Sequence, residues 1–182
     1  MPIGISEGTV IEYTTDRLLE RAGLPAGEIV KVAVPKIPDR LNLLSSGQLA
    51  AANLPDPAAS LALLQGAVLI IDDSSYPDVG HSVITFRSDF ASDHPEAVRG
   101  FLQAIEQAVE AINSDKSGWD DLLLEKNLLP PPLIGTYTLP DYPPASIPSQ
   151  AQFEDALTWA QEKGLVSGSV SYEQSVKPDF LP

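Results

Sequence analysis

The chain contains no cysteine, which excludes disulfides, thiolate metal sites and a cysteine nucleophile together. Histidine is nearly as scarce, with only His81 and His94, so few nucleophile–base pairs can be assembled. Basic residues are also few: 11 Lys and Arg stand against 25 Asp and Glu, for a net charge of -14. Nucleic-acid binding depends on Lys and Arg neutralising phosphates, and no such surface can be built here. An anionic membrane surface is set aside on the same ground. No apolar run approaches the roughly 18 residues of a membrane span. The start, Met1-Pro2-Ile3-Gly4-Ile5, has neither the basic nor the apolar region of a signal peptide. There is no G-x-S-x-G elbow, no phosphate loop and no H-E-x-x-H pair, so neither an enzyme nor a cofactor is expected.

What is present suffices for a core: 182 residues, 43% hydrophobic and 20% charged. A short apolar run at 3–5 leads into Thr9 and Glu12, which fit a capping box with Thr9 as N-cap. Val10, Ile11, Leu18, Leu19 and Ala22 make the apolar stripe of the helix that follows, and Gly23 ends it. Residues 29–34 read as a strand, Pro38-Asp39 opens a short helix closed at Gly47, and 49–54 reads as the next strand. Asp56-Pro57 predicts a helix start, with an N-cap acid before a first-position proline, running to about Gln65. Residues 67–71 and 82–86 are expected as fourth and fifth strands. The strand–helix alternation argues for an α/β fold with a mainly parallel sheet.

A long helix follows Pro95, with Val98, Phe101, Leu102, Ile105, Val109 and Ile112 in helical period; another holds Trp119, Leu122 and Leu123. Nine of the 17 prolines lie from Pro130 onward, which predicts an extended segment hugging a surface or acting as a linker. Ser149 and Gln152 form a second capping box, opening a short helix that carries Phe153, Ala156, Leu157 and Ala160.

Several stretches, in order along almost the whole chain, carry a family resemblance. They are Ile3-Gly4-Ile5-Ser6-Glu7-Gly8-Thr9, then Leu43-Leu44-Ser45-Ser46-Gly47-Gln48-Leu49-Ala50-Ala51-Ala52, and Leu54-Pro55-Asp56-Pro57-Ala58-Ala59. Asp89-Phe90 with His94-Pro95-Glu96-Ala97-Val98-Arg99-Gly100-Phe101-Leu102, then Ile147-Pro148-Ser149 and Lys177-Pro178-Asp179-Phe180-Leu181-Pro182 complete the series. Together they resemble the solute-binding proteins of nitrate, sulfonate and taurine ABC importers, a group that includes thiamine-precursor-like binding domains. The resemblance implies a two-lobed α/β architecture of the periplasmic-binding-protein type (type II). Residues 1–86 would be one α/β ligand-binding lobe, 87–129 the return helices of an incomplete first lobe, and 130–182 a Pro-rich segment with a C-terminal helix. On that plan the opening strands of the first lobe are missing, and the apolar face of the helix after Pro95 lacks part of its packing. Self-association into a homo-oligomer, a separate partner chain or a truncated product is the expected consequence.

In such a lobe, helix N-termini hold anionic groups through free N–H groups and the helix dipole. Ser6, Gly8 and Thr9 are the first candidates: Gly8 permits close approach, and the two hydroxyls can donate. Thr9 as a plain cap, with Glu12 on the spare donor, explains the same residues without a ligand. Asp56 lies where the resemblance implies an acid facing the cleft, and is equally well an ordinary N-cap. Asn53, at a strand's C-terminal end, lies where ligands gather in open α/β sheets. Tyr76 and His81 are further candidates for lining the cleft. Asp72, Asp73 and Asp78 near His81 fit no metal spacing, so no metal is expected. His94, just before Pro95, reads as structural.

The implied function is capture of a small polar or anionic solute between two lobes, delivery to an ABC transporter permease, and an extracytoplasmic location. The rival readings are an intracellular effector-sensing domain of LysR-like architecture, for which no helix-turn-helix is present, and an inactive fragment. A related group with this fold makes a thiamine precursor using a cysteine motif that has no counterpart here.

Overall fold

The computed structural model describes residues 2–182 and places the opening apolar run, Ile3–Ile5, as the central strand β1. Lys31–Ala33 (β2) and Ala51–Ala52 (β3) flank it, both parallel, in the order β2-β1-β3. Val34 N–H donates to Ile5 O at 2.8 Å and Asn53 N–H to Gly4 O at 3.1 Å, carrying the ladder just past the strands. Parallel neighbours require crossovers, and helices supply them. Helix α1 (Val10–Arg21) joins β1 to β2, and α2 (Ile37–Ser45) joins β2 to β3. All three strands therefore end at one edge, from which the connections 6–9, 34–36 and 53–57 depart.

Local chemistry sets the helix starts. Thr9 caps α1 by accepting from Ile11 N–H at 3.2 Å, as its sequence predicts. The reciprocal arm differs by one residue, because the Glu12 carboxylate accepts from Gly8 N–H, at 2.8 Å. Helix α3 (Ala58–Leu64) begins two residues after Asp56, yet Asp56 still serves its first turn: Oδ1 accepts from Ser60 N–H at 3.1 Å and from Ser60 Oγ at 2.7 Å.

Around the sheet, Ile5, Leu18, Leu49 and Ala62 are buried. Gly4 makes this packing possible. A Cβ there would lie 2.7 Å from Leu49 Cδ1 and 3.6 Å from Arg40 Cδ. Gly4→Ala is accordingly expected to cost about 1–3 kcal/mol, the range for overpacking. The check is a lower urea midpoint at unchanged slope; a midpoint equal to the parent's would show that Leu49 yields freely.

The expected strands at 67–71 and 82–86 do not form. Val68 and Ile70 are 78% and 83% exposed, and Val83 and Ile84 are exposed as well. β-Branched residues fit a pleated, half-buried surface, but a strand also needs a neighbouring edge to pair with. Among the described residues the sheet has three strands, and neither segment pairs with the outer edge of β2 or of β3. The flanking strands are also shorter than 29–34 and 49–54, because β1 is only three residues long.

Beyond them, α4 (Ser88–Asp93) leads into α5 (Pro95–Ser114), the long helix expected after Pro95. Val98 is its buried anchor, 1% exposed, whereas Phe101 and Ile105 on the same helix are exposed. Phe86 meets Phe101 edge-on and stacks with Phe90, which partly covers this end. After α6 (Asp120–Glu125), the proline-rich stretch lies against the fold, with Leu129, Leu133 and Leu139 buried. Asn113 holds it through both arms of its amide, donating to Tyr142 O at 2.8 Å and accepting from Tyr142 N–H at 3.0 Å.

Helix α7 (Gln150–Glu162) carries the predicted capping box, with Ser149 and Gln152 reciprocally bonded. It docks back on α1: Trp159 Nε1–H donates to Asp16 Oδ2 at 3.0 Å, and Asp155 Oδ2 accepts from Tyr13 Oη at 2.7 Å and Arg17 Nε at 2.9 Å. A final short helix, α8 (Tyr172–Ser175), packs on α7 with Tyr172 edge-on to Phe153. The architecture is mixed α/β with a small parallel sheet, compatible with a periplasmic-binding-protein-like fold.

Candidate functional site

The edge where the strands end is the natural place for a site, because loops there are free to approach a ligand while the sheet fixes their roots. Ser6, Gly8 and Thr9 follow β1. Thr9 Oγ1 donates to Ser6 O at 2.7 Å, and Ser6 Oγ donates to Pro35 O at 3.5 Å, tying the first connection to the second. Gly8 has φ +66, and the side chain of Leu165 lies 3.2 Å from where its Cβ would be. The chain's own Glu12 carboxylate holds the Gly8 N–H. The local donors at this helix start are thus largely engaged within the protein.

Glu12 is itself strongly conditioned. Burial alone would raise its pKa, but hydrogen bonds from Lys163 and Lys31, with the Gly8 N–H, overcome that and bring it down to about 2. Asp16, one turn on, is likewise held below the usual carboxylate range by Lys31, Trp159 and Lys163 against the opposing effect of burial. This is a fixed pair of carboxylates between two lysines.

Asn53 follows β3 and turns inward. Its Nδ2 lies within 3.1 Å of Ile11 O, 3.0 Å of Thr14 Oγ1 and 2.9 Å of Thr15 Oγ1, so its amide N–H groups are directed to α1. Asp56 points elsewhere. With Ser60 of α3 and Thr136, Tyr137 and Thr138 of the proline-rich segment, it lines an open depression of about 320 Å³ floored by leucines. Burial raises the Tyr137 phenol pKa, and the Asp56 and Tyr142 charges add to it. The depression offers one carboxylate and four hydroxyls, a set suited to a small polar group. Three of those hydroxyls come from a segment 80 residues downstream of Asp56 in order of magnitude, and no local signal in the sequence joins them.

Tyr76 lines a different depression, of about 300 Å³, with Leu69, Ile70, Ile71, Asp72 and Ser75. The Arg21 guanidinium lies 5.3 Å from the Tyr76 ring centre and pairs with Asp78. His81 Nε2 lies 2.8 Å from Gln152 Nε2 at the start of α7, so the imidazole is engaged with the returning helix. The structure therefore groups Ser6, Gly8, Thr9 and Asn53 around the first turns of α1, and sets Asp56 and Tyr76 in separate depressions. Among the described residues, no three His, Asp or Glu side chains gather as a metal ion would require. No helix among them is long and apolar enough to cross a membrane.

Arg40 was not legible as a buried residue. It sits on α2 beside Gly4, is 0% exposed, and donates from Nη1 to Val34 O at 2.9 Å. An arginine on a short amphipathic helix reads from sequence as a solvated charge, and only the three-dimensional packing reveals its burial.

A search among curated proteins gives no match, and neither does a search among solved structures. A family model does match, over residues 1–121, which takes in the sheet, α1 to α5 and every candidate residue named above except the downstream hydroxyls. The matched span is more than half of the chain, and the chain belongs to the NMT1-like family, a family of solute-binding proteins rather than of enzymes.

Proposed function

We propose that this chain is the substrate-binding component of an ABC importer, capturing a small polar or anionic solute at the strand-end edge of its parallel sheet. The observation that carries the reading is the convergence of the connections after β1, β2 and β3 on one edge, in a chain of this family. Asp56 contributes the polar contact from the third connection, and Ser60 and Tyr137 supply hydroxyls beside it. Ser6 and Thr9 border the same edge from the first. Closure of a second body over the ligand would add further contacts. The solute then passes to a permease, on the extracytoplasmic side of the membrane.

Isothermal titration against a panel of small polar solutes, neutral and anionic, tests this. Saturable heat is expected for at least one, and Asp56→Ala is expected to weaken it by about tenfold, the loss of one charged hydrogen bond. Saturable binding unchanged by Asp56→Ala would remove Asp56 from the site, and no binding across the panel would overturn the reading.

A further inference from the structure

Residues 82–86, Ser-Val-Ile-Thr-Phe, form neither helix nor strand, although three of the five are β-branched. Among the described residues, none of their backbone N–H or C=O groups pairs with another backbone group of the chain. Such a row of unpaired groups is a template for strand addition by a second chain. Proteins that keep an exposed edge single guard it with charges or proline, and this segment carries neither.

The segment is continuous with an apolar surface on α4 and α5. The Phe86 ring stacks with Phe90, at 6.4 Å between centres, and meets Phe101 edge-on at 5.7 Å. Ile105 follows Phe101 by one turn, on the same face of α5. Val83, Ile84, Phe90, Phe101 and Ile105 are all exposed, by 38% to 59%. Their open surface is on the order of 400 Å², as much as the largest apolar patch of an ordinary monomer. A standard interface covers about 800 Å² on each partner, a little over half of it apolar. The patch therefore supplies nearly all the apolar area that one side of a stable dimer needs. Its margins are electrically balanced, because Arg87 pairs with Asp89 and Arg99 with Glu96. In a chain of net charge -14, this is a face that a like copy can approach without local repulsion.

We propose that two copies of this chain dimerise through this face, with residues 82–86 of each pairing antiparallel about a two-fold axis at Ile84. The segment is then its own missing neighbour, and its backbone groups are met by the same groups of the second copy. In a strand Ile84 and Phe86 share a side, and Phe86 already rests on α5. The two Ile84 side chains therefore meet over the Phe86–Phe101 contact and close the patch. The proposal stands apart from solute binding, and either can fail without the other.

The test is sedimentation velocity of the full chain from low to high micromolar concentration. The mass is expected to move from the 19.4 kDa of one chain towards twice that value. Ile84→Asp sets two carboxylates against each other on the axis and is expected to raise the dimer Kd by about tenfold or more. Ile84 is 50% exposed, so its circular dichroism should match the parent's. Ile105→Glu, on α5, is the second variant should Ile84→Asp not fold, and is expected to act in the same direction. The absence of cysteine supplies an independent readout. Antiparallel pairing holds the two copies of residue 84 roughly 4.5–5.5 Å apart between Cα atoms, within reach of a disulfide. Ile84→Cys is expected to cross-link under mild oxidation, and Ser46→Cys, exposed on the far end of α2, to remain single. A chain that stays monomeric throughout overturns the proposal. So does a dimer indifferent to both Ile84→Asp and Ile105→Glu, or cross-linking at residue 84 no faster than at residue 46.

Discussion

Replacing Trp159 by alanine is expected to destabilise the protein by about 3–5 kcal/mol, the range for removing a buried aromatic side chain. Trp159 is 6% exposed and is the centre of the contact between α7 and α1. Its ring meets Tyr13 edge-on at 5.5 Å between centres, and Lys163 Nζ lies 5.7 Å from its own centre. Its indole N–H donates to Asp16 Oδ2, so the substitution also removes a hydrogen bond from a buried carboxylate. Equilibrium unfolding in urea, followed by circular dichroism, gives the loss in stability. Limited proteolysis shows where it acts: cleavage should appear within 150–162 before the rest of the chain is cut. A loss below about 1 kcal/mol would mean that α7 is not docked as described.

Glu12→Gln addresses the charges under the same contact. Glu12 Oε1 lies 2.8 Å from Lys31 Nζ and 2.8 Å from Lys163 Nζ, while Asp16 lies 2.6 Å and 3.1 Å from the same two amines. Neutralising Glu12 leaves two lysines facing one carboxylate. The cost is expected to be about 2–3 kcal/mol, below the roughly 3–5 kcal/mol for breaking a fully buried pair, because Lys163 is partly solvated. The pH dependence has a definite sign. The folded pKa of Glu12 is about 2 against an ordinary 4.5, so its contribution is complete above about pH 4.5 and is lost as pH falls towards 2. Asp16, also lowered, acts in the same direction. Lys163 is raised, after its bonds to Glu12 and Asp16 outweigh burial, so its contribution holds below the ordinary lysine range and is lost as pH rises beyond it. The parent should therefore lose stability steeply between pH 4.5 and 2, and Glu12→Gln should flatten that limb. Parallel acid limbs for the two proteins would contradict the assignment.

Helix starts were the most legible part of this fold. Thr9 and Ser149 cap the helices that their spacing to Glu12 and Gln152 announces, because a cap is decided by residues within one turn. The small sheet was legible at its centre, where the apolar run Ile3–Ile5 ends in the polar turn Ser6-Glu7-Gly8-Thr9. Strand pairing at 67–71 and 82–86 was not, since pairing depends on an edge that composition within the segment cannot reveal. The same limit hides the contact between Asp16 and Trp159, 143 residues apart. Among the candidate residues, Asp56 lies in a depression whose other wall is built by Tyr137 and its neighbours, a partner that no spacing near Asp56 predicts. Asn53 was read as facing a ligand, and the structure directs its amide to α1, where it ties the end of β3 to the helix. Arg40 shows the converse, a residue of ordinary appearance that packing buries.

Solute capture is tested most directly by native mass spectrometry of the protein as purified from cells, in gentle buffer. The expected result is a population carrying a retained small molecule of a few hundred daltons or less, which is released on denaturation and identified by its mass. A protein that stays free of adduct in the native spectrum, and remains so after incubation with acetate, methanesulfonate, glucose and uracil, would contradict the account.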